Sequence, residues 1–136
     1  MEEYELSREE LLRRKKLTAT TRKMICKLLE IKAQNKTSIA TTYEGFFLQI
    51  TFSEIHPLIA FCLEKPLEET KASIASKSNL ANLTSVLGKH CVFERDGRYQ
   101  YRAIHWLDTE INQTRFLEIL NRYVVEASRG YEKIAS

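Results

Sequence analysis

Three histidines, three cysteines and one run of basic residues are the side chains of this 136-residue chain best suited to chemistry. His56, His90 and His105 could each serve as acid, base or ligand, yet no two share a metal-ligand spacing. His56 precedes Pro57 in a turn, His90 follows a helix end, and His105 stands beside Trp106 in a strand. Isolated surface or half-buried histidines are the plainer reading. Cys26, Cys62 and Cys91 are odd in number and lack metal-type spacing, so small, half-buried hydrophobes are expected. Cys91 and His105 could pair as nucleophile and base across a fold, but nothing supplies an orienting third group or an oxyanion hole. Glu68 and Glu69 would point about 100° apart on a helix, which suits a helix N-terminus better than an acid/base pair. The sequence contains no G-x-S-x-G, P-loop, G-x-G-x-x-G or H-E-x-x-H. The expectation is no catalytic residue, no metal and no cofactor.

Binding offers more. Arg13, Arg14, Lys15 and Lys16 form one run, joined by Arg22 and Lys23, and could contact phosphates. A solvated helix face, partly neutralised by Glu9 and Glu10, is the competing reading. Tyr99 and Tyr101 alternate with Arg98 and Arg102, a pattern that suits either base stacking or cross-strand packing. Net charge is only +3, milder than in dedicated nucleic-acid binders.

These residues need elements to position them. The charged fraction of 29% and hydrophobic fraction of 43% fit one globular domain. No apolar run approaches the ~20 residues of a membrane span. The charged N-terminus lacks the apolar centre of a secretory signal, so the chain is expected in the cytoplasm. Ser7-x-x-Glu10 is a capping box that should start a helix. Either one long helix runs to about Lys32 or, as the β-branched Thr18, Thr20 and Thr21 favour, a short first helix is followed by a core helix from about Thr18. Residues 1–17 are therefore read as a basic helical extension and residues 18–136 as one domain.

Three strands should follow, over residues 37–43, 46–52 and 58–63. A tight turn at Glu44-Gly45 separates the first two, and the third reads as covered on both faces. Residues 67–87 are helical in character, with Ile74, Leu80, Leu83, Val86 and Leu87 as the apolar set, a weak point at 76–79, and Gly88 as the cap. Asp96-Gly97 signals a type I′ hairpin, leading into a strand over 98–107. Asp108 or Thr109 should cap a last helix whose stripe is Phe116, Leu120, Tyr123, Val124, Ala127, Tyr131 and Ile134. The resulting α+β fold has an antiparallel sheet of about five strands, in the order α-β-β-β-α-β-β-α.

That order, with Asn79–Leu83 running to Gly88, Val92–Arg102 around the Asp-Gly turn, and the helix around Tyr123–Tyr131, resembles the YbjN-type bacterial sensory domains, similar in fold to type III secretion chaperones. The resemblance covers residues 18–134, and the basic N-terminal extension departs from it. It implies a non-enzymatic, protein-binding α+β domain, often dimeric. Phe47 and Trp106 either stand on a sheet face that the helices leave open, as a partner site or dimer seam, or lie beneath a helix. The expected function is a chaperone-like or adaptor-like homodimer that binds a protein through Phe47, Trp106, Tyr99 and Tyr101. The alternative is nucleic-acid association through Arg13, Arg14, Lys15, Lys16, Arg22 and Lys23.

Overall fold

The computed structural model describes residues 7–31, 37–53, 55–68 and 74–135. Its elements are α1 (Arg8–Leu28), β1 (Ser38–Tyr43), β2 (Phe46–Phe52), β3 (Leu58–Pro66), α2 (Ile74–Thr84), β4 (Lys89–Phe93), β5 (Arg98–Trp106) and α3 (Gln113–Ala135). This is the expected α+β order. The strands form one antiparallel sheet, β1-β2-β3-β5-β4.

Ser7 caps α1 by accepting from the Glu10 amide at 3.1 Å. The helix then runs unbroken through the threonines, which corrects the expected division near Thr18. The physical reason is that the hydroxyls find partners: Thr21 donates to the Leu17 carbonyl at 2.8 Å, and Thr18 to the Ser53 carbonyl at 3.3 Å. Leu17, Thr18, Thr21 and Ile25 form the buried stripe. The end is a Schellman motif: Ile31 N–H donates to the Cys26 carbonyl and Glu30 N–H to the Lys27 carbonyl, with Glu30 left-handed at φ 54°.

Glu44 and Gly45, with φ of 50° and 82°, make the two-residue loop that joins β1 to β2. The Asp96-Gly97 hairpin forms, but with four loop residues between the Phe93–Arg98 pair, and only Gly97 is left-handed. The type I′ expectation belongs at Glu44-Gly45 instead. Along β3, Ile59, Phe61 and Leu63 are buried while Ala60 and Cys62 are half-buried. The strand is therefore fully covered on one face, not two.

The buried sheet face carries Phe46, Leu48, Ile50, Phe61, Tyr99 and Tyr101, packed with Ile25 of α1 and Phe116, Leu120 and Tyr123 of α3. Ring contacts join the layers, as between Phe61 and Tyr123, whose centroids lie 5.0 Å apart. Asn112, rather than Asp108 or Thr109, caps α3, its side-chain oxygen accepting from the Arg115 amide at 2.8 Å. Of the expected α3 stripe, Phe116, Leu120, Tyr123, Ala127 and Ile134 are buried and Val124 and Tyr131 half-buried, and Ile119 and Gly130 extend the buried face.

The expected α2 stripe inverts. Residues 76–79 lie within the unbroken helix, while 69–73 and the side chain of Ile74 lie outside what is described. The buried positions are Ser78 and Ala81, whereas Leu80 and Leu87 are exposed, Leu83 is 80% exposed and Val86 is 86% exposed. Gly88 does not cap α2. A Cβ there would stand 2.5 Å from the Tyr101 ring and 2.6 Å from the Arg102 carbonyl, so glycine permits a close approach.

Candidate protein-docking surfaces

Pleating places Phe47 of β2 and Ile104 and Trp106 of β5 on the sheet face opposite the core. All three are exposed, Phe47 to 45% and Trp106 to 56%. They do not form one patch. Phe47 shares a cross-strand row with Glu64 and Gln100, and Trp106 stands six residues further along β5, about 20 Å away. A polar lane lies between them: Glu64 pairs with Arg98 and accepts from Gln100, which in turn accepts from Arg102. The larger apolar corner is at the Trp106 end. There Ile104 is its neighbour, Leu58 its cross-strand partner, and His56 packs edge-on at 6.4 Å.

The two sheet edges differ. At β4 the Asn82 side chain accepts from the His90 amide at 2.7 Å and donates to the His90 carbonyl at 2.9 Å, occupying the outward backbone groups of that residue. At β1, the bond from Phe52 N–H to the Thr37 carbonyl sets the alternation, so that the backbone groups of Ala40 and Thr42 face outward. No described strand pairs with them, and residues 38–43 contain no charge and no proline.

Tyr99 and Tyr101 belong to the core. Both are fully buried on the helix-covered face, so neither offers a ring to a partner or a base. The Tyr99 hydroxyl donates to the Ala127 carbonyl at 3.1 Å and meets His90 Nδ1 at 2.5 Å. With its proton given to Ala127, that hydroxyl accepts from His90, which places the imidazole proton on Nδ1. Burial pushes both phenols well above their usual range and lowers the His90 pKa. The Tyr101 hydroxyl donates to Glu126 at 2.7 Å. Glu126 also accepts from Ser85 Oγ and from the amides of Val86, Leu87 and Gly88. Burial alone would raise the Glu126 pKa, but the bond from Tyr101 and those from the 85–88 turn outweigh it and hold the pKa at about 2.

Above this network, α2, the 85–88 turn and α3 enclose a groove of about 700 Å³. Ala81, Val86, Leu87 and Val125 supply its apolar lining, and Arg122 and Arg129 are among its charged residues. Reading residues 80–87 as a core stripe concealed it. The available signal was that residues 78–88 carry no charge, while Ser78, Ala81 and Ser85 form a competing stripe of small side chains.

The basic residues of α1 have diverging fates. Arg13 and Arg14 both pair with Glu10, and their hydrogen bonds, Arg13's first, hold its carboxyl at about 2. Arg14 also donates to the Ile55 carbonyl and Arg13 to that of Asp108, tying the helix to two loops. Arg22 is half-buried, whereas Lys15, Lys16 and Lys23 are exposed. Cys91 and His105 are not brought together. Cys91 lies on the open face opposite Gln100, and His105 lies five residues beyond, on the covered face.

No family model and no curated protein matches this sequence. Among solved structures, YbjN, a candidate transcription regulator from E. coli, shares the fold with a TM-score of 0.61 at 11% identity, over 85% of this chain and 87% of that one. A chain of the HopA1–SchA chaperone–effector complex aligns at 0.55 and 10% identity, over 96% and 98% of the two chains. A chain of the ExoU–SpcU heterodimeric complex, from the type III secretion system of Pseudomonas aeruginosa, aligns at 0.51 and 16%, over 76% and 84%. The chain thus has the fold expected from its resemblance to YbjN and the secretion chaperones.

Proposed function

We propose that this chain is a non-enzymatic protein-binding module, chaperone-like or adaptor-like, acting in the cytoplasm as a homodimer. The observation that carries the reading is the open sheet face, where Trp106 and Ile104 stand exposed with no described helix over them. A large exposed indole beside aliphatic neighbours is the composition of an interface centre. Two fold neighbours come from complexes described as chaperone–effector and heterodimeric assemblies, which suits a protein partner. The separation of Cys91 from His105 also favours binding over catalysis. The uncharged β1 edge suits pairing with a second copy.

Affinity purification of the tagged full chain, nuclease-treated and washed at high salt, tests the reading. One or two stoichiometric proteins should survive the wash and be lost from a Trp106→Asp variant. Retention that ignores this substitution would overturn the open-face assignment. Loss of all binding with nuclease and salt would move the function to nucleic acid and the exposed Lys15, Lys16 and Lys23 of α1.

A further inference from the structure

We propose that the groove between α2 and α3 receives an acidic amphipathic helix of a partner protein, with its apolar face on Val86, Leu87 and Val125 and its carboxylates on Arg122 and Arg129. This surface is separate from the open sheet face, and the inference does not depend on the partner bound there.

The apolar half of the argument is exposure. Val86 is 86% exposed, and Leu87 and Val125 are also exposed beside the groove of about 700 Å³. Leu80 and Leu83 of α2 are exposed as well, outside the lining of the groove itself. A groove between two helices with exposed aliphatic side chains at its border is a setting for a third helix, read through anchors one turn apart.

The polar half is the unbalanced charge. The groove contains two carboxylates, and both are engaged. Glu126 is filled by Tyr101, Ser85 and the amides of the 85–88 turn. Glu118 pairs with Arg115 at 3.1 Å. Arg122 and Arg129 are exposed, and neither forms an ion pair among the described residues. At seven residues apart they stand about 10 Å from each other along one helix face. Carboxylates two turns apart on a neighbouring helix match that spacing.

The same charge decides against a second copy as occupant. A two-fold contact presents the same patch on both molecules. It would therefore gather the unpaired guanidiniums of both copies into one interface, with no spare carboxylate in the 78–88 stretch to neutralise them.

The test uses the full chain and two labelled synthetic helical peptides, read by fluorescence anisotropy. Both carry leucines at three- and four-residue spacing. One bears glutamates two turns apart beside that stripe, and the other bears lysines at the same places. The glutamate peptide should bind at least about tenfold tighter than the lysine peptide at low salt. The double variant Arg122→Glu, Arg129→Glu should reverse that preference, and the milder Arg122→Gln, Arg129→Gln should erase it. Val125→Asp should weaken the glutamate peptide, whereas Trp106→Asp should leave it bound, which separates this inference from the open-face reading. Absence of binding, equal binding of both peptides, or a preference that survives charge reversal would overturn the proposal. So would a dimer by light scattering that Val125→Asp converts to monomer, because the occupant would then be a second copy.

Discussion

Glu126 collects five donors on one carboxylate, three of them consecutive main-chain amides. Replacing it by glutamine turns one acceptor oxygen into a donor facing donors. Glu126→Gln should lower the unfolding free energy by about 2 kcal/mol, measured by urea titration. The pH dependence has a definite sign. The folded carboxyl sits at about 2 against 4.5 when unfolded, so its contribution is complete above about pH 4.5 and disappears as pH falls towards 2. Allowing for solvent screening of this partly exposed group, about 1–2 kcal/mol should be lost over that window, and the glutamine variant should not show it. Gly130 makes the second prediction at this scale. A Cβ there would stand 2.2 Å from His90 Cε1 and 2.3 Å from Nδ1. His90 is held by Tyr99 and Asn82 and cannot retreat cheaply, so Gly130→Ala should cost at least about 2 kcal/mol in the same titration. None of this was legible in the sequence. Glu126 reads as one more charge on a helix, and its partners come from two distant segments that only the fold unites.

The helices and strands were legible where local pattern and tertiary demand agree. The α3 stripe could be read because its apolar residues recur at three and four and all face one sheet. The α2 stripe misled because its large apolar residues point outward, while Ser78 and Ala81 take the buried side and allow the helix to approach β4 closely. The division expected near Thr18 followed from β-branched propensity, a weak prior that two satisfied hydroxyls overrode. The Asp-Gly loop departs from the expected type I′ turn because loop length, not the dipeptide alone, selects the turn, whereas the tight turn expected at Glu44-Gly45 forms with two residues. Glu30 supplies the prediction at this scale. It holds a left-handed conformation at the C-terminal end of α1, where a side chain costs about 1 kcal/mol. Glu30→Gly should recover about that amount, seen as a higher urea midpoint with an unchanged slope.

For the molecule as a whole, the helices lie on one side of the sheet and leave its other side bare among the described residues. The sequence left this asymmetry open: the alternation in β2 put Phe47 on the face opposite Phe46 and Leu48, but either an open face or a covering helix fitted, and β3 read as covered on both sides. Tyr99 and Tyr101 were misplaced because a strand's alternation says which residues share a face without saying which face is covered. At this scale Thr42→Pro is informative. Its backbone groups point away from β2, so the substitution leaves the β1–β2 ladder intact while blocking any strand added outside it. A homodimer joined at β1 should become a monomer by light scattering, with its circular dichroism retained.

The unlike edges also set a limit on assembly. A sheet with two open rims can recruit copies without end, which is how fibres grow. Here the Asn82 amide occupies the outward groups of His90 on the β4 rim, imitating part of the strand that would otherwise dock there. Two molecules joined rim to rim at β1 would each turn this partly occupied border outward. Growth by strand addition beyond such a pair would then have to displace the Asn82 amide from His90, an obstacle that the β1 border does not present.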